Sequence, residues 1–225
     1  MNTTRLFATA LATWLCCSTL SAQETYPAEM FSAEMACPVA FTGTRPTISD
    51  FVTAYFSDDD DGYPEIWGDC MMAWNAYKQG SKLPKGSAIL LDTKNGYMRF
   101  TQNLGETYGD DWNDKDVYTV EMCYWNCTDN RYKVFGISLY GMEHGKYVGG
   151  QYDGITLYIY DNATRKMYQV PTEDMGVTLS YDSQGDEYPI HVIRLPRTGK
   201  NIIQETYLGN RKTVRKYRWD GMRFK

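Results

Sequence analysis

An α+β fold follows from three features of this 225-residue chain. Helix signals are confined to about residues 47–79. β-prone runs recur every 8–12 residues from about 87 to the end, and Gly, Asn, Asp or Pro separates each run from the next. Helices placed ahead of many short strands segregate the two structure types, unlike the alternation of an α/β sheet. The expected architecture is two N-terminal helices packed on a mostly antiparallel β-sheet, arranged as a meander, a sandwich or a partly open barrel. No repeat of fixed period is present, which argues against a complete propeller.

The first 22 residues, MNTTRLFATALATWLCCSTLSA, have the make-up of a secretory signal peptide. Arg5 supplies the positive start, Leu6 to Leu15 is short and mostly apolar, and Leu20-Ser21-Ala22 ends on a small residue at the cut. The apolar run falls short of the roughly 20 residues that span a bilayer. Trp14 and Leu15 before Cys17 fit a lipid-attachment site poorly, so soluble export to the periplasm or the exterior is expected. No later segment is long or apolar enough to be a transmembrane helix.

Residues 23–46, interrupted by Pro27, Pro38 and Pro46, read as irregular, and 47–225 as one domain. Thr47 with Asp50 three residues on forms a capping-box pattern that starts a helix over TISDFVTAYF. SDDDDGYP interrupts it. A second helix follows over EIWGDCMMAWNAYKQG, with Ile66, Trp67, Cys70, Met71, Trp74 and Tyr77 on one stripe and Gly80 as its stop. SAILLD and YMRFTQN form a hairpin at Asn95-Gly96. DVYTVEMCYWN and YKVFGISLYG pair across CTDNR, and GITLYIYD and KMYQV across NATR. VTLSYD, PIHVIRL, KNIIQETYL, TVRKYRW and MRF complete the strand set.

Charge is unevenly spread. From His191 to Lys225 there are ten Lys and Arg against two acids, whereas residues 23–190 carry 12 basic and 26 acidic residues. The terminal cations alternate with apolar residues, as on the solvated face of a strand, so the basic strands are expected to lie against the acidic remainder. Together with export, this argues against a nucleic-acid partner.

Cys37, Cys70, Cys123 and Cys127 are the disulfide candidates, since an even count in an oxidising compartment allows two bridges. In an extended CYWNC the two Cys lie about 13 Å apart. A disulfide needs Cα atoms within about 7 Å, so a local bridge requires a bend.

Asp59, Asp61 and Glu65 are the candidate metal ligands, and calcium is the one cofactor the sequence admits. The loop lacks the bidentate Glu that closes an EF-hand, because Gly68 stands at that place. Asp110, Asp111 and Trp112 form a second acidic loop suited to gripping a sugar through ring stacking and hydroxyl hydrogen bonds. Only His144 and His191 are available as histidines, neither in a metal-binding spacing, and no G-x-S-x-G elbow is present. No catalytic residue is assigned. A carboxylate pair acting on a polysaccharide is the enzymatic alternative, and a calcium-stabilised glycan-binding module is another. Asn126-Cys127-Thr128 and Asn162-Ala163-Thr164 have the form of glycosylation sequons.

LPRTGK, Leu195 to Lys200, matches the L-P-x-T-G sortase signal, but no apolar segment follows it: the longest apolar run is Ile202-Ile203. It reads as a hairpin corner, and the chain is not expected to be a sortase substrate. DTKNGYMRF, EMCYWNC, GQYDGITLYIYDNATRKM and YRWDGMRF are similar to small exported proteins of Bacteroidetes that are largely uncharacterised. The resemblance covers about residues 88–225 and implies a periplasmic or secreted β-rich domain. The resulting expectation is a non-enzymatic exported domain that binds an envelope protein or a glycan.

Overall fold

The computed structural model describes residues 25–31, 36–57, 65–109, 113–149, 154–179 and 188–225. The expected leader, 1–22, lies outside them. Helix α1 spans Ile48–Tyr55 and begins as expected: the Asp50 carboxylate accepts from the Thr47 backbone N–H at 2.7 Å and from its hydroxyl at 2.7 Å. Helix α2 spans Glu65–Lys78 and closes with Ser81 N–H donating to Ala76 O at 2.9 Å. Its predicted stripe buries Trp67, Cys70 and Trp74 but leaves Tyr77 exposed.

Strands β1 (Ala36–Pro38), β2 (Ser87–Asp92), β3 (Tyr97–Asn103), β4 (Val117–Asn126), β5 (Tyr132–Glu143), β6 (Lys146–Val148), β7 (Gly154–Asp161) and β8 (Lys166–Val170) form one antiparallel sheet. Its order is β1-β8-β7-β5-β4-β3-β2, a meander except that β1 returns to the far edge and β6 folds back on the end of β5. A second, three-stranded sheet has β10 (Asn201–Leu208) between β9 (Ile190–Arg194) and β11 (Arg211–Arg218). LPRTGK is the corner joining β9 to β10, with Ile203 opposite Arg194.

Side chains alternate across a strand, so the large sheet has two faces. Met98, Phe100, Val120, Met122, Phe135, Ile137 and Tyr160 pack under α1 and α2. Tyr97, Cys123, Trp125, Val134, Leu157 and Ile159 meet Ile193, Leu195, Ile202, Tyr217 and Phe224 from the smaller sheet and C-terminus. The molecule is therefore helices on a sheet on a second sheet.

Several expectations need correction. The sheets do not close into a barrel. There is a third α-helix, α3 (Leu104–Tyr108), begun by the Asn103 side chain accepting from Glu106 N–H at 2.8 Å. The segment read as irregular contains β1, which pairs with β8. VTLSYD is not a strand over its described residues: Val177 N–H closes a turn onto Thr172 O, and the buried Met175 and Val177 plug the core between the sheets. Cys70, Cys123 and Cys127 stand as buried thiols, and the Cys37 thiol donates to Ala54 O at 3.1 Å. β4 stays extended through Asn126, so the bend that a Cys123–Cys127 bridge requires is missing.

Candidate functional site

β4 turns Glu121 into the space between the sheets, opposite Arg99 of β3 and Ser138 of β5. A buried carboxylate is costly unless its oxygens are hydrogen-bonded. Both are: the Tyr97 hydroxyl donates to Oε1 at 2.8 Å and the Leu195 backbone N–H to Oε2 at 2.7 Å. Burial, then Glu121, pushes the Tyr97 hydroxyl pKa well up, so it stays a donor. Ser138 Oγ lies 2.6 Å from Ile193 O, a second polar stitch between β5 and β9.

Beyond these stitches the seam reaches the surface as a row of tyrosines and cations. Arg194 of β9 lies over the rings of Tyr140 at 5.0 Å and Tyr147 at 5.6 Å, and donates to both hydroxyls. Tyr147 meets Tyr207 of β10 at 5.2 Å, and Lys212 of β11 stands 5.3 Å from the Tyr207 centroid. Glu205 accepts from Tyr207 Oη and Lys212 Nζ, each at 2.8 Å. Register puts more charge on the same face, since Lys212 is opposite Tyr207, Lys216 opposite Ile203 and Arg218 opposite Asn201. Four cations thus share a face with Glu205, and Val214 there is 60% exposed.

The basic strands do lie against the remainder of the chain, but among the described residues apolar packing rather than charge pairing holds them there. Of four ion pairs made by cations of 191–225, only Arg197–Asp92 reaches an acid outside that segment. β11 is the outermost strand, and its only buried side chain is Tyr217. A polycationic edge resists edge-to-edge pairing. It also leaves the cations open to an anion from solution.

The residues singled out from sequence lie elsewhere. Asp59 and Asp61 are outside the described residues, as are Asp110, Asp111 and Trp112; Glu65 opens α2, but its side chain is not described. The anchor beside the second loop is described: buried Asp116 accepts from Asn113 N–H at 2.8 Å and His144 N–H at 2.6 Å. His191 is buried, with Nδ1 at 3.0 Å from Thr206 Oγ1 and 3.1 Å from Gln204 Nε2. Among the described residues no three His, Cys, Asp or Glu side chains gather as a metal site.

Among the described residues, five carboxyls are held below their ordinary range. Asn95 and Arg197 lower Asp92, the Asn113 N–H lowers Asp116, and Arg131 lowers Asp161. Burial pushes Glu205 and Asp220 upward, but hydrogen bonds led by Lys212 and Lys225 outweigh it. Such groups suit charge pairing, whereas a glycosidase acid needs a raised pKa. The seam was hidden in the sequence because Tyr140, Tyr147, Arg194 and Tyr207 come from four strands; the visible signal was the basic run around Lys212. No family model, curated protein or solved structure matches the chain.

Proposed function

We propose that the chain is an exported binding domain whose ligand is an acidic glycan, held where the seam between the sheets reaches the surface and along the cationic face of β11. One observation carries this reading: Tyr147 of β6 and Tyr207 of β10 are half-buried rings that meet across the seam between the sheets, flanked by Arg194 and Lys212, with Lys216 farther along the face that carries Lys212. Sugar rings present apolar C–H faces that lie against tyrosine rings, and carboxylate substituents match the excess of cations. The salt-bridged state of Glu205 supports recognition rather than hydrolysis. The export part of the reading rests on residues 1–22, and places the domain where envelope or extracellular polysaccharide is found.

Titration calorimetry with polygalacturonate, a neutral β-glucan and single-stranded DNA tests the proposal. Polygalacturonate is expected to bind, and to weaken as salt is raised from about 50 to about 200 mM, because exposed charges are screened over roughly 8–10 Å. Tyr147→Ala and Lys212→Ala are each expected to weaken binding about tenfold, equal to about 1.4 kcal/mol. Tighter binding of the neutral glucan or the DNA would overturn it.

A further inference from the structure

At the other end of β5 from the tyrosine row, a second feature concerns a small cavity of about 10 Å³. It lies between the β4–β5 turn, the bend at 42–45 and the β7–β8 turn, and has room for about one oxygen-sized centre. Arg45, Arg131 and Lys133 line it, together with Asn126, Asn130 and Asn162. Among the described residues only Arg131 of these cations has an acidic partner, a two-pronged contact to Asp161 at 2.9 and 2.8 Å. Lys133 is directly opposite Asn126, donates to its Oδ1, and stands 4.5 Å from the Tyr124 ring centroid. Neither Lys133 nor Arg45 forms an ion pair among the described residues.

Burial, then repulsion from Arg45, lowers the Lys133 pKa, as happens to a cation held without a counter-ion. Two like charges facing one polar cavity repel, and an anion between them relieves that repulsion. The Asn126 amide spends its oxygen on Lys133, which leaves its NH₂ free to donate. We propose that this cavity is an oxyanion site, in which Lys133 and Arg45 neutralise one sulfate, phosphate or carboxylate group and asparagine amides donate to its oxygens. The cavity takes one corner of the group, and exposed Arg45 and Asn130 flank the remainder. The group is either a free inorganic ion or a charged substituent on a sugar. This site is independent of the tyrosine row and stands if the acidic-glycan reading fails.

The test is ¹H–¹⁵N NMR titration of the full chain with sodium sulfate, sodium phosphate and galactose 6-sulfate, against sodium chloride at matched ionic strength. Saturable shifts are expected at 126–133 and 162 with the oxyanions but not with chloride. Lys133→Met and Arg45→Gln should each weaken the response at least tenfold. Arg45 is exposed, so Arg45→Gln keeps the test decisive if Lys133→Met fails to fold. Galactose 6-sulfate binding tighter than sulfate supports the site and assigns a sugar substituent; equal affinities support it and assign the free ion. Linear, unsaturable shifts, or unchanged affinity in Arg45→Gln, would overturn the proposal.

Discussion

On the helix-covered face of the large sheet, Phe51 stacks on Phe135 at 5.3 Å and meets the edge of Tyr160 at 5.2 Å. On the opposite face four polar side chains are buried among the apolar ones: Glu121 and Ser138 join the two sheets through hydrogen bonds, and His191 and Gln204 are hydrogen-bonded within the small sheet. The first face gains stability from area and shape, which are non-directional. The second gives up some of that gain for polar contacts that fix β9 against β5 to within a hydrogen-bond length. Such precision is what the surface row needs, because Arg194 has to reach both Tyr140 and Tyr147 from a different sheet. The helix face therefore sets how stable the domain is, and the inter-sheet face sets where its surface groups stand.

Substitutions separate the two roles. Phe51→Ala is expected to have the largest effect, a loss of about 3–5 kcal/mol in urea unfolding, with glycan affinity unchanged while the protein stays folded. Glu121→Gln should cost less, about 1–2 kcal/mol, because two charge-assisted hydrogen bonds become neutral ones and the Tyr97 hydroxyl must turn to accept. Unlike Phe51→Ala, it should also weaken glycan binding by letting β9 shift. If Phe51→Ala weakened binding as much, the division between the faces would fail. Gly136→Ala probes the close packing beneath the stitches, since an added Cβ would lie 2.8 Å from the Trp125 ring and 3.1 Å from Leu157. Overpacking of this kind costs about 1–3 kcal/mol, readable as a lower denaturation midpoint and an altered near-ultraviolet tryptophan signal.

Acid should act on surface ties rather than on either core. Asp92 and Asp220 are each held at about 2, against an ordinary 3.8. Asp92 is lowered by Asn95 and then Arg197; Asp220 is lowered by Lys225 and backbone N–H groups despite its burial. A carboxyl depressed in the folded state contributes stability that is complete above its unfolded value and is lost as pH falls through its folded value. Melting temperature is therefore expected to fall between pH about 4 and about 2, and Asp92→Asn to flatten part of that slope. Thr47→Ala should show the smallest effect, about 1 kcal/mol from loss of the α1 cap.

Much of the fold was legible because its signals are local. Thr47 and Asp50 are three residues apart, and the β2–β3, β4–β5 and β7–β8 hairpins each join neighbouring runs. β1 escaped notice because its three residues gain strand structure only from β8, at Tyr168, Met167 and Lys166. The candidate site was less legible still. Leu195 and Glu121 are 74 positions apart, and Arg194 and Tyr140 are 54 apart, so no spacing rule joins them. Arg194 and Lys212 read as ordinary solvated strand residues until register places them beside tyrosines from other strands.

Hydrogen–deuterium exchange with and without polygalacturonate shows which face of the protein meets the ligand. Added protection is expected at β6, β9, β10 and β11, with α1 and α2 unchanged. Protection centred on the helices, or none at saturating ligand, would contradict it.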